Sequence, residues 1–261
     1  MSGVDVTTFP KFTPFTKAWH TEPYPFISPT RPELSAAGRN IVVTGGGAGI
    51  GNAIAVAFAT AGAKSVTIIG RRLEKLRTGA ASVRAAVPEN AETQVFYEQA
   101  DLLSHDDTTR AFAAIAGKVG GKIHVLVSNA GPVSEGGATP ASRLISDATD
   151  EQLVGSFRGI VLTAIHAMQA FLPLAGPNPV LLSTNTCFAH WPAIPNFGLY
   201  SCGRAALLKF TDYIQAENPH VRIVSVQPGW VATEGNGFQK EATDSGNCPR
   251  SYVKARPPRV H

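Results

Sequence analysis

The fold is decided by the stretch Thr44-Gly45-Gly46-Gly47-Ala48-Gly49-Ile50-Gly51. It follows an apolar run, residues 40–43, that is typical of a buried strand, and it precedes residues 52–59, which favour a helix rich in small side chains. Glycines let a backbone turn tightly and approach a pyrophosphate with no Cβ in the way. The positive end of the following helix and its free N–H groups then favour an anion. Strand, glycine turn and helix in this order predict a site for a dinucleotide.

The spacing of the glycines resembles that of a known protein family. Three residues separate Gly45 from Gly49, more than in a plain G-x-G-x-x-G pattern, and Thr-Gly-x-x-x-Gly-Ile-Gly resembles the cofactor turn of the short-chain dehydrogenase/reductase family. Further along, Ser128-Asn129-Ala130-Gly131 resembles the family's Asn-Asn-Ala-Gly, and residues 228–233 resemble its Pro-Gly-x-Val-x-Thr. The resemblance covers residues 38–233 and implies an α/β fold, a Rossmann-type doubly wound parallel sheet in a single domain.

The resemblance also implies which residues hold the cofactor. They come from the glycine turn, from the ends of later strands and from the catalytic helix: Gly45, Gly49, Ile50, Gly51, Asp101, Asn129, Tyr200, Arg204, Val231 and Thr233. For Asp101 a plain helix-capping role is the alternative. Asn129 is expected either to bridge strand ends or to contact the cofactor.

The choice between NAD(H) and NADP(H) is made where strand 65–69 ends, at Gly70-Arg71-Arg72. An Asp or Glu there would accept a hydrogen bond from the ribose 2′-OH and repel a 2′-phosphate, and none is present. A guanidinium pairs well with phosphate, so Arg71 and Arg72 favour NADP(H). The alternative is that one arginine only solvates the start of the helix at 73–86.

The chemistry implied by the resemblance rests on Tyr200 and Arg204. In the family, a Tyr and a Lys four residues apart act with an upstream Ser; this chain has Arg204 in place of the Lys. A separation of four places both side chains on one helix face, where the positive charge is expected to lower the pKa of the phenol towards the working pH. The Tyr200 hydroxyl would exchange the proton as hydride moves between a nicotinamide and a ketone or secondary alcohol.

The hydroxyl that orients the substrate carbonyl is assigned to Ser183, with Thr184 and then Thr186 as alternatives. The strand-end pattern Leu-Leu-Ser-Thr favours Ser183, whereas the family's usual spacing of about thirteen residues before the tyrosine falls on Cys187. A capping hydroxyl at the strand end is the other interpretation of Ser183. The apolar loop 188–199 predicts the wall of a pocket for a hydrophobic or ring-bearing molecule, or else a cover for the core.

Departures from the family pattern leave a second hypothesis open, a protein that binds NADP(H) with little or no catalysis. Arginine does not reproduce an ammonium on the ribose hydroxyls, so Arg204 is not a conservative replacement. Ser156 stands where the family carries an Asn that holds a water in a proton relay. Nothing after Thr233 has the pattern of the family's seventh strand, which predicts a sheet without its last strand and helix.

The extent of the resemblance and the composition of the two ends divide the chain into three parts. Residues 1–34 contain six prolines and predict an extended arm, with a disordered leader as the alternative. Residues 35–233 form the predicted dinucleotide-binding and catalytic domain, and residues 234–261 an atypical short basic tail. The family's two long helices, here 150–172 and 200–217, imply association into a homo-oligomer.

Composition argues against several other classes of protein. Four basic residues in the last twelve account for the whole net charge of +4, so the body is neutral and has no pattern for nucleic-acid recognition. No run of 18 uncharged apolar residues predicts a membrane span, and no signal peptide is visible. Three cysteines have no metal-ligand spacing and cannot all pair, so we expect no metal and a cytoplasmic location.

Overall fold

The computed structural model describes residues 24–89, 91–131, 144–229, 231 and 233. Within these residues, parallel strands form one six-stranded sheet in the order β3-β2-β1-β4-β5-β6. The strands are β1 (Asn40–Thr44), β2 (Ser65–Gly70), β3 (Gln94–Gln99), β4 (Ile123–Ser128), β5 (Ala175–Thr184) and β6 (Arg222–Val226). The α-helices are α1 (Gly49–Thr60), α2 (Leu73–Ala85), α3 (His105–Val119), α4 (Asp150–Phe157), α5 (Thr163–Phe171) and α6 (Gly198–Glu217).

Helices cover both faces of this sheet, which confirms the predicted doubly wound fold. One apolar cluster packs α1 and α2 against the sheet around Phe58, and the other packs α3, α5 and α6 around Phe112 and Phe171. All five residues of β1 are buried, as expected for a central strand of a parallel sheet covered on both faces. The chain runs outward from β1 to β3 and then returns to β4, so the strand order reverses between β1 and β4. Ligands of such sheets bind at the carboxyl ends of the strands beside this reversal.

The apolar run at residues 180–183 predicts a strand, but strand β5 begins five residues earlier, at Ala175. Pro177 and Pro179 lie in this added segment, and proline is depleted from strand interiors, so the sequence pattern indicated a later start. The pairing with β4 shifts register in the same segment, between Ile123 and Val125. The later part of β5, which leads to the site, is regular.

The predicted helix 150–172 is interrupted by a π-helical turn, Arg158–Leu162, between α4 and α5, and it ends in a 3₁₀ turn, Leu172–Leu174. By length and a mean hydropathy of 1.3, the stretch Asp150–Leu174 also qualifies as the one candidate membrane span among the described residues. In the fold, however, Met168 and Phe171 are fully buried in the core beside β4. That placement is typical of the core helix of a globular domain.

Part of the predicted proline-rich arm belongs to the described residues. Two 3₁₀ turns, Pro25–Ile27 and Pro32–Leu34, precede β1, and Leu34 is buried. Residues 1–23 and the predicted tail, 234–261, lie outside the described residues. The prediction that the sheet lacks its last strand concerns that second segment.

Candidate active site

The hydroxyl of a threonine in β1 hydrogen-bonds to the end of β4, where the strand order reverses. Thr44 Oγ1 donates to the carbonyl oxygen of Val127 at 3.2 Å and accepts from the backbone N–H groups of Asn129 and Ala130 at 2.9 and 3.0 Å. The side-chain amide of Asn129 donates to the Thr44 carbonyl at 3.2 Å and accepts from the Thr184 hydroxyl at 3.3 Å. Asn129 therefore bridges the ends of β1, β4 and β5, one of the two roles expected for it.

The glycine turn lies directly against this bridge. Gly45 and Gly49 have φ of +67° and +57°, the left-handed region that favours glycine. A Cβ at Gly51 would overlap the Gly45 carbonyl oxygen and lie 2.6 Å from Asn129 Nδ2. Ala48, which precedes α1, has no side-chain group to cap the helix, so the first N–H groups of α1 are left for a ligand. The turn therefore fits the pyrophosphate of a dinucleotide.

Arg71 and Arg72 lie at the end of β2, and both side chains are exposed. Gln99 Nε2 donates to the Arg71 carbonyl oxygen at 2.8 Å and fixes this part of the backbone. Within the described residues neither guanidinium has a hydrogen bond or an ion pair, so both remain able to bind phosphate.

Asp101 follows β3 and is exposed, and its Oδ1 accepts from the Leu103 N–H at 3.1 Å. Ser104, not Asp101, caps α3. The Asp101 N–H donates to Asp107 at 2.7 Å and, with Arg110, lowers the pKa of the Asp107 carboxyl. The expected adenine contact of Asp101 stays a prediction.

Tyr200 and Arg204 lie on one face of α6, as their spacing predicts. The Arg204 Cζ atom lies 5.2 Å from the centre of the Tyr200 ring, within the range of a cation–π contact. Arg204 Nη1 donates to the Thr184 carbonyl oxygen at 2.8 Å, and a Cβ at Gly131 would lie 2.9 Å from Nη2. The guanidinium thus lies between Tyr200 and the ends of β4 and β5, and its buried Nε has no partner among the described residues.

The three hydroxyl candidates have different surroundings. Ser183 is 0% exposed, and its hydroxyl is enclosed with no hydrogen-bond partner in the described part of the chain. Thr184 and Thr186 are half-buried. The Thr184 hydroxyl donates to Asn129, whereas Thr186 Oγ1 accepts from the Phe188 N–H at 3.4 Å and bonds the thiol of Cys187, a weak partner. The geometry therefore brings the two threonines, rather than Ser183, towards the surface of the site.

Ser156 lies on α4, one residue before its end, and its hydroxyl donates to the Leu199 carbonyl oxygen at 3.3 Å. This hydrogen bond ties α4 to the first turn of α6, next to Tyr200. The expected contact with a relay water stays a prediction.

An aromatic cluster forms beside Tyr200. The Phe188 ring lies at its centre, with centroid distances of 5.0 Å to Phe197, 6.1 Å to Trp191 and 6.4 Å to Tyr200. The Phe188 and Tyr200 rings are nearly perpendicular, an edge-to-face contact that aromatic pairs prefer. The loop between β5 and α6 therefore presents an apolar wall next to the phenol.

Val231 and Thr233 follow β6, and the chain there returns to the glycine turn. A Cβ at Gly49 would lie 3.3 Å from the Thr233 methyl carbon, so Thr233 lies over the start of α1. Val231 is half-buried. The expected roles of Val231 and Thr233 in holding the cofactor stay predictions.

Two amide side chains that the sequence did not single out shape the loops around the site. Asn185 is 6% exposed; its N–H donates to the Val226 carbonyl oxygen and its Nδ2 to that of Arg204. Gln227 Oε1 accepts from the Cys187 N–H at 2.5 Å. Both residues directly follow strands, and that position at the carboxyl edge of the sheet was the available signal.

Residues 39–244 match the family model described as short chain dehydrogenase. Since the match spans more than half of the 261 residues, the chain belongs to the short-chain dehydrogenase/reductase family. Members of this family are oxidoreductases.

Individual relatives agree with this assignment. A short chain dehydrogenase/reductase of Claviceps purpurea is 27% identical over 243 residues, which cover 91% of this chain and 78% of the relative. A farnesol dehydrogenase of Aedes aegypti is 27% identical over 239 residues, 86% of this chain and 93% of the relative. A Burkholderia cenocepacia short chain dehydrogenase, solved in complex with NADP, is similar in structure with a TM-score of 0.67 and 27% identity, covering 80% of this chain and 82% of that one.

Proposed function

We propose that this chain is an NADP(H)-dependent reductase that interconverts a ketone and a secondary alcohol of a hydrophobic small molecule. The observation that carries the proposal is the pair of Tyr200 and Arg204 on one face of α6, with the guanidinium 5.2 Å from the phenol ring. The pair lies at the strand ends where Asn129 contacts the glycine turn, so a proton donor stands beside the predicted cofactor site.

The preference for NADP(H) is supported by charge. Arg71 and Arg72 present two exposed guanidinium groups at the end of β2, where a 2′-phosphate would lie and where no carboxylate would repel it. The turn at Gly45–Gly51 would hold the pyrophosphate. The Burkholderia relative, at 27% identity, was solved with NADP.

In the mechanism, NADPH would supply the hydride when bound. The Tyr200 hydroxyl gives its proton to the carbonyl oxygen during reduction and takes it back during oxidation. Arg204 keeps a positive charge beside the phenol ring and anchors α6 to the end of β5. A hydroxyl donor near Tyr200 stabilises the charge that develops on the substrate oxygen.

We assign that hydroxyl to Thr186 instead of the Ser183 favoured by the sequence. The enclosed Ser183 hydroxyl has no path to a substrate, and the Thr184 hydroxyl proton is engaged by Asn129. Thr186 is half-buried next to Phe188, and its hydroxyl bonds the Cys187 thiol, a weak partner that a substrate oxygen would replace.

The substrate class is supported by the aromatic wall. Phe188, Trp191 and Phe197 pack together beside Tyr200, and such rings favour an apolar or ring-bearing molecule. The Aedes relative is named a farnesol dehydrogenase, and farnesol is an apolar alcohol.

The test begins with the cofactor. The purified chain is titrated with NADPH and with NADH while nicotinamide fluorescence is followed, and tighter binding of NADPH is expected. Tyr200→Phe should then abolish turnover of a ketone panel and leave the NADPH Kd nearly unchanged. Retained turnover in this variant, or lost binding of NADPH, would contradict the assignment of Tyr200.

A second candidate function is cofactor binding with little catalysis, and a specific contact favours it. Arg204 Nη1 is engaged by the Thr184 carbonyl oxygen, so one arm of the guanidinium is already used within the protein. Arg204→Lys separates the two functions. A large gain in rate would mean that the site is assembled but impaired by the arginine, whereas no change from a low rate would support the non-catalytic role.

A further inference from the structure

Asn52 joins the glycine turn to helix α2 through its side-chain amide. Its Nδ2 donates to the carbonyl oxygens of Gly46 at 3.0 Å and Gly79 at 3.1 Å. Its Oδ1 accepts from the Ser82 hydroxyl at 2.7 Å. Both N–H donors and the carbonyl of the amide are thereby used, and every partner lies on the turn or on α2.

The backbones of the turn and of α2 are in contact at the same place. A Cβ on Gly79 would lie 2.9 Å from the Cα and the carbonyl oxygen of Gly47, and 3.0 Å from Asn52 Nδ2. A Cβ on Gly47 would in turn lie 3.0 Å from the backbone carbonyl of Lys75. The position of the turn therefore follows that of α2, and the Asn52 amide is the polar link that holds the two together.

This link joins two predicted anion sites. Helix α2 begins at Leu73, directly after Arg71 and Arg72, and α1 begins within the glycine turn. The arginines would bind the 2′-phosphate and the turn the pyrophosphate of one cofactor, so the distance between the two sites affects how well both phosphates are bound at once.

We propose that Asn52, held by Ser82, is a positioning residue for NADP(H), which sets the glycine turn at the right distance from Arg71 and Arg72. The proposal rests on the proposed function. Neither Asn52 nor Ser82 belongs to the motifs by which the sequence indicated a cofactor. Neither is expected to touch the reacting atoms.

The test compares Asn52→Ala, Ser82→Ala and the control Thr78→Ala by their affinity for NADPH and for adenosine 2′-monophosphate. Thr78 is exposed on α2, and its hydroxyl donates only to the Glu74 carbonyl oxygen within the same helix. Asn52→Ala should weaken NADPH binding about 10- to 100-fold, since two carbonyl oxygens lose their donor. Ser82→Ala should weaken it about 2- to 10-fold, and Thr78→Ala should leave it unchanged.

Adenosine 2′-monophosphate separates positioning from folding. It has no pyrophosphate and would engage the arginines and the adenine contact expected at Asp101, so its Kd should change less than about twofold in every variant. If Asn52 had only a structural role, its substitution would lower the melting temperature, and the Kd for NADPH would rise no more than the Kd for adenosine 2′-monophosphate. Unchanged NADPH affinity in Asn52→Ala and Ser82→Ala overturns the proposal, whatever their stability. If Asn52→Ala does not fold, the NADPH affinity of Ser82→Ala is compared with that of Thr78→Ala, and equal affinities overturn the proposal.

The failure of the proposed function gives a different result. A wild-type chain that binds neither NADPH nor NADH overturns the proposed function and this inference with it. A wild-type chain that binds NADPH, together with variants that bind it equally well, overturns only the role of Asn52.

Discussion

At the scale of single residues, the three hydroxyl groups at the end of β5 and just after it give the sharpest test of the active site. Thr186→Val removes the one half-buried hydroxyl among the three candidates whose proton is not held by Asn129. Loss of a hydrogen bond to a developing oxyanion lowers kcat by about 10²- to 10³-fold, and we expect this with little change in the NADPH Kd. Steady-state kinetics on a ketone that the wild type reduces would measure the effect.

Ser183→Ala and Thr184→Val are the matched controls for Thr186→Val. Ser183→Ala should retain most of the activity, because its hydroxyl is enclosed and unpaired within the described part of the protein. A drop in kcat at Ser183 with full activity in Thr186→Val would restore the assignment that the strand-end pattern favoured.

These residues also mark what the sequence could predict about the site. The glycine spacing and the separation of four between Tyr200 and Arg204 are local, so their placement on a turn and on one helix face follows from the chain alone. The burial of Ser183 is not local. It depends on Ser128 and Ser225, which flank Ser183 on the neighbouring strands and are far from it in sequence. The Asn52 link is equally non-local, since two of its three partners, Gly79 and Ser82, lie on α2.

His124, at the amino end of the sheet, provides a prediction on pH. Its Nδ1 accepts from the Asn40 N–H at 3.0 Å, which requires the neutral ring. Partial burial, followed by the charges of Arg39 and Lys64, lowers the pKa of His124 below its usual 6.5. As the pH falls below about 6.5, the unfolded chain binds a proton that the folded chain does not, so stability is lost from there down to the folded pKa. Above pH 6.5 this contribution is fully present.

The melting temperature from pH 8 to pH 5 measures this effect. His124→Gln removes the titrating ring, so its melting temperature should fall less than that of the wild type over this range, by about 2–4 °C if one hydrogen bond of about 1 kcal/mol is involved. Thr60→Ala is the control, because it removes a hydroxyl that donates to the Val56 carbonyl oxygen and does not titrate, so the pH dependence should stay as in the wild type. Equal pH dependence of wild type and His124→Gln would contradict the prediction.

At the scale of elements, the π turn between α4 and α5 is the feature that the sequence did not indicate. The apolar pattern of residues 150–172 is continuous with a helical period, so nothing in it predicts an added residue in one turn. The residues of this turn pack against another helix. Ile160 and Val161 of the turn are buried, and a Cβ at Gly203 of α6 would lie 2.8 Å from Ile160 Cδ1. The close approach of α6 thus accompanies the π turn.

A double-mutant cycle tests this packing. Gly203→Ala should destabilise the protein by about 1–3 kcal/mol through overpacking, in spite of the better helix propensity of alanine. Ile160→Val removes the contacting Cδ1 and alone costs about 0.5–1.5 kcal/mol. The double variant should be more stable than the sum of the two changes predicts, since the new Cβ gains the space of the lost methyl group. Urea unfolding followed by circular dichroism measures each value, and strict additivity would mean that the two residues do not share this contact.

The existence and order of most elements, by contrast, could be predicted from the chain alone. Each motif stands at the carboxyl end of a strand, as Thr44, Asn129 and Thr184 do, because a doubly wound sheet gathers its site residues at that edge. The predicted start of a strand was wrong where the sequence contains residues that are rare inside strands. The prolines before Val180 delayed the predicted start of β5, although tertiary pairing with β4 extends the strand over them.

At the scale of the whole molecule, α4 and α6 pack on each other and present apolar side chains to solvent. The residues of this α4/α6 face are Leu153, Val154, Phe157, Phe210 and Tyr213, each at least 41% exposed. Exposed apolar side chains on two helices packed together are typical of a contact between protein chains. We therefore propose that copies of the chain associate through this face, as the family resemblance implied.

Charged substitutions on this face test the association. Val154 and Tyr213 are 56% and 60% exposed, so Val154→Lys with Tyr213→Lys should cost the isolated fold little and still place charges in the contact. We expect the wild type to sediment as a dimer or larger assembly and the double variant as a monomer with an unchanged circular dichroism spectrum. Phe26→Lys, at a side chain 51% exposed on the N-terminal turn, is the control and should retain the wild-type mass. A wild-type chain that is monomeric at micromolar concentration would refute the association. If the double variant still assembles, the contact between copies lies on another face.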